Sequence, residues 1–528
     1  MEGYAAGWPA TGGEPALAAL EAAGDAVAAG LGRVMVQVAC LFAAAAGTET
    51  LAGMEQAAVE ASREIGLGAL QLALDAQAGA EVPLPGLAGA DGRWRGCREK
   101  SATTVVTMLG PVAVRRIAYR SREKGVADLH WRDAVLNLPP CGYSWALQRL
   151  AVMFCRSGSY EQGHEFVLAA TGVSVGRRQL EEIVAAAAAD AERFYRDRPG
   201  QEMLPAGTGE PGPREGLPPL AISADGKGVA MRPEARRPRA TAPGKRARTF
   251  RKRTGTREKK GCKRMAETGC VFDVIAPDGP PRTPEEIMTR EPGEPARGPQ
   301  AVNRWYACDI TAGRDVTIGK VFDEADRRDP GCLRTWIALV DGDACQLDWI
   351  RARAAERGIT ITIMIDFIHV LEYLWKAAWC FHPPRDPVME DWVIVQSLDI
   401  LHGRVQDVIS RITRLAADHP PQRSEHAKII RTTLSYLENK QACMDYPTAL
   451  ANGWPITTGV IEGACRHLVQ DRMGITGARW GLAGAQAMLW LRAINASGDT
   501  STYWDWHIQQ EHQRNHLSRY STGLDLAA

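Results

Sequence analysis

The sequence predicts a multidomain α/β protein, on the basis of its length, a set of strand-like runs and a long helical stretch. The chain has 528 residues, of which 45% are hydrophobic and 24% are charged, so it is long enough for several folded domains. Helical segments near 312–330 and 345–357 separate the last three of five strand-like runs, which favours parallel pairing there. A helical pattern continues through about 370–455. The five runs are Leu220–Asp225, Cys270–Ala276, Arg304–Thr311, Trp336–Asp341 and Ile361–Asp366.

The order of these patterns divides the chain into six regions. Pro- and Gly-rich residues mark the linker between a helical half and the α/β half, and β-rich runs around Leu109-Gly110-Pro111 predict a hairpin. The predicted regions are an Ala-rich acidic helical region (1–92), the β-hairpin (93–127), a helical region (128–200), a linker (201–218), an α/β core (219–496) with a basic insert at 232–264 and a helical insertion at about 370–455, and a C-terminal tail (497–528).

Charge is strongly segregated along the chain. Residues 1–89 have a net charge of −8, whereas residues 232–264 have a net charge of +13. A block this basic is typical of a phosphate-binding segment that becomes ordered on DNA, and the alternative is a solvated insertion. Its candidate DNA-binding residues are Lys245, Arg246, Arg248, Arg251, Lys252, Arg253, Arg257, Lys259, Lys260, Lys263 and Arg264.

A second candidate DNA-binding element lies in the helical region. Residues 160–170 and 175–184 have the spacing of a helix–turn–helix, with Gly172 in the turn and Ser174 as the predicted cap. The start of the second helix would then face the major groove, although helix pairs of this kind also occur without DNA. The side chains placed there are Arg177, Arg178 and Gln179.

Carboxylates at the ends of apolar runs predict a metal site. Asp225 follows Leu-Ala-Ile-Ser-Ala, Asp341 follows Trp-Ile-Ala-Leu-Val, and both precede glycine. Sites of open α/β sheets lie at the carboxyl ends of strands, so we expect the two side chains to converge. Glu462 adds a third carboxylate early in a helix that Thr457 or Thr458 caps. Clustered hard oxygens suit Mg²⁺, although a single Asp-Gly can also be a simple turn.

Cysteine spacing and hydropathy exclude several other classes of protein. The twelve cysteines include no Cys-x-x-Cys pair, which argues against a zinc ribbon and against a disulfide framework, and indicates a reducing cytoplasm. The longest nearly uncharged apolar run, residues 34–46, is too short to span a bilayer. We therefore expect a cytoplasmic protein with no membrane partner and no zinc.

Two long segments, Ile365–Lys376 and Thr458–Leu468, stand beside four shorter ones in a recognisable order along the chain. The shorter segments are Ile222–Val229, Lys263–Met265, Val340–Gly342 and Arg479-Trp480. Together these segments resemble the ISKra-type insertion-sequence transposases, and the resemblance covers roughly residues 95–510. Relatives often carry a Cys-x-x-Cys element after the hairpin, and residues 119–125 lack it.

The resemblance implies a ribonuclease-H-like catalytic core with an Asp-Asp-Glu triad of metal ligands. Asp225 would be the first Asp and Glu462 the Glu, while Asp341 and Asp366 compete for the second position. Strand count favours Asp341, because the second Asp of this fold class ends the fourth strand. Asp366 and His369 would then form an Asp-x-x-His element, and a buried His369 bonded to Asp366 or to a carbonyl is the alternative.

The implied activity is cleavage and strand transfer of transposon ends with two Mg²⁺ ions, for which Mn²⁺ may substitute. The implied partner is double-stranded DNA, both terminal repeats and target, bound by a homo-oligomer associated with a prokaryotic nucleoid. Two alternatives remain open: a catalytically inactive copy acting as a DNA-binding regulator, and a nuclease of the same fold that cuts without joining.

Overall fold

The computed structural model describes residues 50–198, 216–236, 262–289, 298–383, 386–419, 423–475 and 477–521, with scattered positions between 32 and 47. The chain divides into an N-terminal unit, Met1–Asp190 with Ser501–Ala528, and a central unit, Ala191–Thr500. Most of the predicted linker lies outside the described residues. The same is true of nine candidate DNA-binding residues of the basic insert: Lys245, Arg246, Arg248, Arg251, Lys252, Arg253, Arg257, Lys259 and Lys260.

The N-terminal unit contains the predicted hairpin and one long helix. Strands β3 (Cys97–Thr107) and β4 (Gly110–Arg120) pair antiparallel, and Gly110 adopts a φ of +134° that suits glycine. Alternate side chains of the hairpin pack against α1 (Leu51–Ala80), where Leu67, Leu70 and Leu74 contact Val105, Val112 and Val114. The short strands β1 (Leu87–Ala88) and β2 (Trp94–Arg95) precede the hairpin.

The rest of this unit is helical. Its helices are α2 (Trp131–Val135), α3 (Trp145–Ser157), α4 (Tyr160–Thr171) and α5 (Arg177–Ala187). Ser159 and Gln162 form a capping box that fixes the start of α4, and Gly172 ends it with a φ of +71°. The prediction of Ser174 as the cap of the next helix is wrong: the N-cap is Gly176, without a side-chain bond. The helical periodicity over residues 175–195 predicts one continuous helix there, but α5 ends at Ala187 and α6 (Ala191–Arg196) is a separate helix.

Residues 497–528, predicted as a tail, contain helix α18 (Thr500–Asn515). Tyr503 on this helix is buried and donates to the carbonyl of Ala187, and Tyr520 packs edge-on to Trp131. Buried aromatic side chains therefore join the chain's last described segment to the core of the N-terminal unit.

A five-stranded mixed sheet forms the centre of the second unit and confirms the α/β class. Its strands are β5 (Leu220–Ala230), β6 (Lys263–Ile275), β7 (Gln300–Asp309), β8 (Trp336–Val340) and β9 (Ile361–Ile365), in the order β7-β6-β5-β8-β9. The first three strands pair antiparallel, and β8 runs parallel to both β5 and β9. Strands β5 and β6 extend beyond their predicted ends toward the basic insert, since cross-strand pairing continues through glycines and charged residues.

Two helices pack against the sheet after α7 (Pro284–Met288), which itself contacts the helix Pro387–Leu401. They are α8 (Arg314–Arg328) and α9 (Ala344–Arg357). Helix α8 packs on β5 and β6, and a Cβ added to Gly269 of β6 would lie 2.3 Å from Val321 Cγ2. Glycine at 269 is therefore required for the close approach of this helix.

The predicted helical insertion consists of five helices directly after β9. They are α10 (Phe367–Phe381), α11 (Pro387–Leu401), α12 (Val405–Asp418), α13 (Ser424–Lys440) and α14 (Tyr446–Ala451). The chain then forms α15 (Gly459–Ala464), a π-helical segment (Cys465–Gln470), α16 (Asp471–Met473) and α17 (Leu482–Ala496). In the described part of the chain, none of the helices combines the length and apolar character needed to cross a bilayer.

Candidate active site

Three aspartates lie in one row across the sheet. Asp341 and Asp366 directly follow β8 and β9, as predicted, but the prediction that Asp225 ends its strand is wrong, because β5 continues to Ala230. Ser223 pairs with Leu339, and Val340 pairs with Ile365. Continuing that register places Asp225 beside Asp341, and Asp341 beside Asp366. Neighbouring strands are about 4.8 Å apart, so the three residues start from adjacent positions. Which of them present free oxygens depends on the local structure of each.

Asp225 is half-buried near the middle of β5. Its Oδ1 accepts a 2.6 Å hydrogen bond from the N–H of Gly226, and the preceding carbonyl, of Ala224, accepts a 2.6 Å bond from Gln346 Nε2. The Cys465 thiol lies on its other side, where burial and the Asp225 charge raise the pKa of that thiol. The strand and α9 therefore hold the Asp225 backbone from both sides.

Asp341 follows β8 directly and is half-buried. Its Oδ1 accepts a 3.0 Å hydrogen bond from the N–H of Asp343, and Gly342 has a φ of +91°. The main-chain carbonyl of Asp341 accepts a 3.1 Å bond from the Tyr436 hydroxyl. Burial raises the pKa of Tyr436, so this hydroxyl stays protonated and can donate.

Asp366 differs from the other two because both of its oxygens serve the fold. Only 1% of the residue is exposed, and its Oδ1 caps α10 by accepting from the N–H of Ile368 at 3.0 Å. Its Oδ2 accepts from the Thr458 hydroxyl at 2.7 Å, and burial raises the pKa of the carboxyl group. His369 is half-buried with its ring near Tyr373, and no hydrogen bond within the described residues joins it to Asp366.

Glu462 lies exposed in the first turn of α15. Its Oε1 lies 3.0 Å from the Thr458 hydroxyl, which also faces Asp366. Thr458 is the N-cap residue, as expected, but its side chain makes no cap bond and instead links Glu462 to the end of β9. The helix continues into the π-helical segment, and such segments occur frequently at functional sites.

Three basic side chains lie close to these carboxylates, two of them in the chain and one in the fold. Lys227 is exposed two residues beyond Asp225, and Arg466 is exposed one turn after Glu462. Arg314 donates to Glu267 at 2.9 Å. Burial opposes ionisation of Arg314, but the Glu267 bond and the charges of Asp341 and Asp343 raise its pKa overall. The site therefore contains both the carboxylates that a divalent cation requires and cations suited to a phosphate.

The donor set fits Mg²⁺ in its chemistry, since all of its groups are hard carboxylate oxygens. In the described residues, the one group of three metal-ligating atoms within 4.8 Å of one another is a different group, so Asp225, Asp341 and Glu462 are more widely spaced. Glu462 is the exposed member of the three, whereas Asp225 and Asp341 are half-buried.

That other group consists of Asp190, His507 and Glu511 in the N-terminal unit. All three are buried and could hold a metal ion, and the described cysteines form no zinc-type cluster. Arg514 pairs with both carboxylates, and His507 Nδ1 lies 2.9 Å from Asp190 Oδ2. The carboxylate charges therefore already have a cationic partner.

The candidate recognition residues stand at the exposed start of α5. Arg177 pairs with Glu161 at 2.6 Å and Arg178 with Glu182 at 3.1 Å, and Gln179 is also exposed. Lys263 and Arg264, the described basic residues at the end of the insert, begin β6. These exposed ion pairs contribute little to stability, so both arginines can exchange their partners for phosphate or a base.

Comparison with known proteins adds no family: no family model matches the chain, and no curated protein matches it. Sequence reasoning missed Tyr436, Thr458 as a link between strand and helix, Gln346 and Arg314. A tyrosine, threonine or glutamine within a helical pattern gives no signal of the distant partner it contacts. For Arg314, the one available signal in the sequence was its position at the start of the helix that follows the third strand.

Proposed function

We propose that the chain is a DNA transposase with a ribonuclease-H-like core and an Asp-Asp-Glu metal site. The observation that supports this most is the pairing of Ser223 with Leu339, because it brings Asp225 of the first strand and Asp341, directly after the fourth, to the same part of the sheet. The first three strands run antiparallel and the last two join beside the first, which is the layout expected for that fold. The long helical insertion before Glu462 also agrees with the resemblance described above.

In this proposal each carboxylate has a separate support. The β5 strand holds Asp225, the Gly342 turn holds Asp341, and the Thr458 hydroxyl holds Glu462 near them. Mg²⁺ bound by these groups would supply Lewis-acid stabilisation of the charge that develops at a reacting phosphate. The exposed cations Lys227 and Arg466 would orient the DNA backbone, since they lie close to Asp225 and Glu462 in the chain.

The test is cleavage of labelled DNA that carries the inverted repeats flanking the gene, in Mg²⁺ and in Mn²⁺. We expect nicking at the repeat ends by the wild-type chain, and its loss in Asp225→Asn, Asp341→Asn and Glu462→Gln while DNA binding persists. Asp348→Asn is the matched control, because Asp348 is an exposed carboxylate on α9, outside the site. Nicking that all three site variants retain would refute the proposed metal site.

The same assay separates the two alternatives. A DNA-binding regulator would bind the repeats without metal-dependent nicking. A nuclease of this fold would nick them but would not join the released 3′ ends to a plasmid target. Joined products are therefore the result that distinguishes a transposase, and two repeats held in one complex would establish the proposed homo-oligomer.

A further inference from the structure

The helical insertion contacts the candidate active site through Tyr436 of α13. Its hydroxyl donates to the main-chain carbonyl of Asp341 at 3.1 Å. A Cβ added to Gly342 would lie 3.2 Å from both Cε2 and the hydroxyl oxygen of Tyr436, so the ring also packs on the turn itself. One side chain of the insertion thus supports the peptide that carries the second proposed ligand.

Tyr436 is in turn held by α10, the first helix of the insertion. The Tyr373 ring stacks on the Tyr436 ring with a centroid distance of 4.0 Å and an interplanar angle of 17°. Lys376 Nζ lies 4.8 Å from the centre of the Tyr373 ring, and the buried Thr433 hydroxyl donates to the Tyr373 carbonyl at 3.4 Å. Helices α10 and α13 therefore fix the Tyr436 ring in one orientation.

We infer that Tyr436 is a positioning residue that orients Asp341 for metal binding. This inference rests on the proposed function. The turn after Asp341 contains Gly342 at a φ of +91°, and glycine has more conformational freedom than residues with a side chain. The Tyr436 hydrogen bond to the Asp341 carbonyl removes part of that freedom and so fixes the peptide that carries the carboxylate. Groups that orient a metal ligand typically change metal affinity or activity by about 10–100-fold when removed.

The test measures Mn²⁺ binding to the full chain by isothermal titration calorimetry and by loss of the free-Mn²⁺ electron paramagnetic resonance signal. The variants are Tyr436→Phe, which removes only the hydroxyl, and Tyr373→Phe, which keeps the ring stack. Within the described residues the Tyr373 hydroxyl makes no hydrogen bond, so its removal is the matched control. The Mn²⁺ binding that persists in Asp225→Asn is subtracted from the binding of each other protein, because Asp190, His507 and Glu511 could also hold an ion.

We expect Tyr436→Phe to weaken the Asp225-dependent Mn²⁺ binding by about 10-fold or more, with an unchanged melting temperature. Tyr373→Phe should bind as the wild type does. If Tyr436→Phe binds Mn²⁺ as tightly as the wild type while Asp225→Asn and Asp341→Asn still lose binding, the positioning role of Tyr436 is refuted and the proposed metal site is not. Binding that is insensitive to Asp225→Asn and Asp341→Asn would overturn the proposed metal site, and the role of Tyr436 with it.

Discussion

Separate replacement of Asp341 and Asp366 should affect two different properties of the chain. Both residues end parallel strands in the same register row. Asp341 uses one oxygen in a turn and is half-exposed, whereas Asp366 is buried and uses both oxygens to hold α10 and Thr458. We expect Asp341→Asn to abolish end cleavage as fully as Asp225→Asn, and Asp366→Asn to leave a measurable remainder.

The size of the effect on stability follows from these contacts. Asp366→Ala removes a helix cap, which is typically worth about 1 kcal/mol. It also removes a charge-assisted hydrogen bond from Thr458, typically worth about 1.5–3 kcal/mol, and the Thr458 hydroxyl keeps Glu462 Oε1 as its acceptor. Relief of the buried charge offsets part of this loss, so the free energy of unfolding should fall by about 1–3 kcal/mol in total. Asp341→Asn removes no buried contact and should change that free energy by less than about 0.5 kcal/mol.

Urea unfolding measures the stability change, and cleavage of labelled end DNA measures activity at matched DNA occupancy. Asp348→Asn controls for loss of an exposed carboxylate elsewhere in the unit. An Asp366→Asn protein that folds and binds DNA but cleaves none, beside an active Asp341→Asn protein, would refute the reasoning. In that case Asp366 would be the metal ligand.

Four further predictions test other parts of the structure. Burial raises the pKa of Asp366 above its ordinary 3.8. The free energy of unfolding of the wild type should therefore fall relative to that of Asp366→Asn as pH rises through the raised pKa, and a difference that stays constant with pH in urea unfolding would contradict this. Replacement of all three basic residues of 251–253 by alanine should reduce the slope of log K for DNA binding against log salt concentration by up to about three units. An unchanged slope would exclude phosphate contacts by these residues. Alanine at Arg177 and Arg178 should weaken end-specific binding more than non-specific binding, by about 1–3 kcal/mol for each base contact, whereas equal losses on random duplexes would make α5 a purely structural helix. Gly269→Ala should cost about 1–3 kcal/mol in urea unfolding, because its Cβ would lie 2.3 Å from a methyl carbon of α8, and a neutral effect would show that the helix can shift.

The strands of the sheet and the aspartates at the ends of β8 and β9 could be predicted from the sequence because both depend on local patterns. Each strand is a short β-branched or aromatic run, and Asp341 and Asp366 directly follow such runs. The extension of β5 beyond Asp225 was not predictable, since it depends on pairing with β6 across the basic insert. The roles of Tyr436 and Thr458 depend on contacts between residues far apart in the chain, which periodicity does not report.

One local feature nevertheless separates the proposed metal ligands from the structural aspartate. Asp225 and Asp341 are each followed by glycine, while Asp366 is followed by the first residue of a helix. An aspartate before a helix satisfies the exposed N–H groups of the first turn, so its oxygens are used by the fold. A glycine after the aspartate lets the chain continue as a strand, as at Gly226, or turn with a φ of +91°, as at Gly342. Asp225 and Asp341 each use Oδ1 for one short-range bond to the backbone, and Asp225 also contacts the Cys465 thiol. Asp366 instead uses both of its oxygens in the fold, which is why Asp341 is the better candidate for the second ligand.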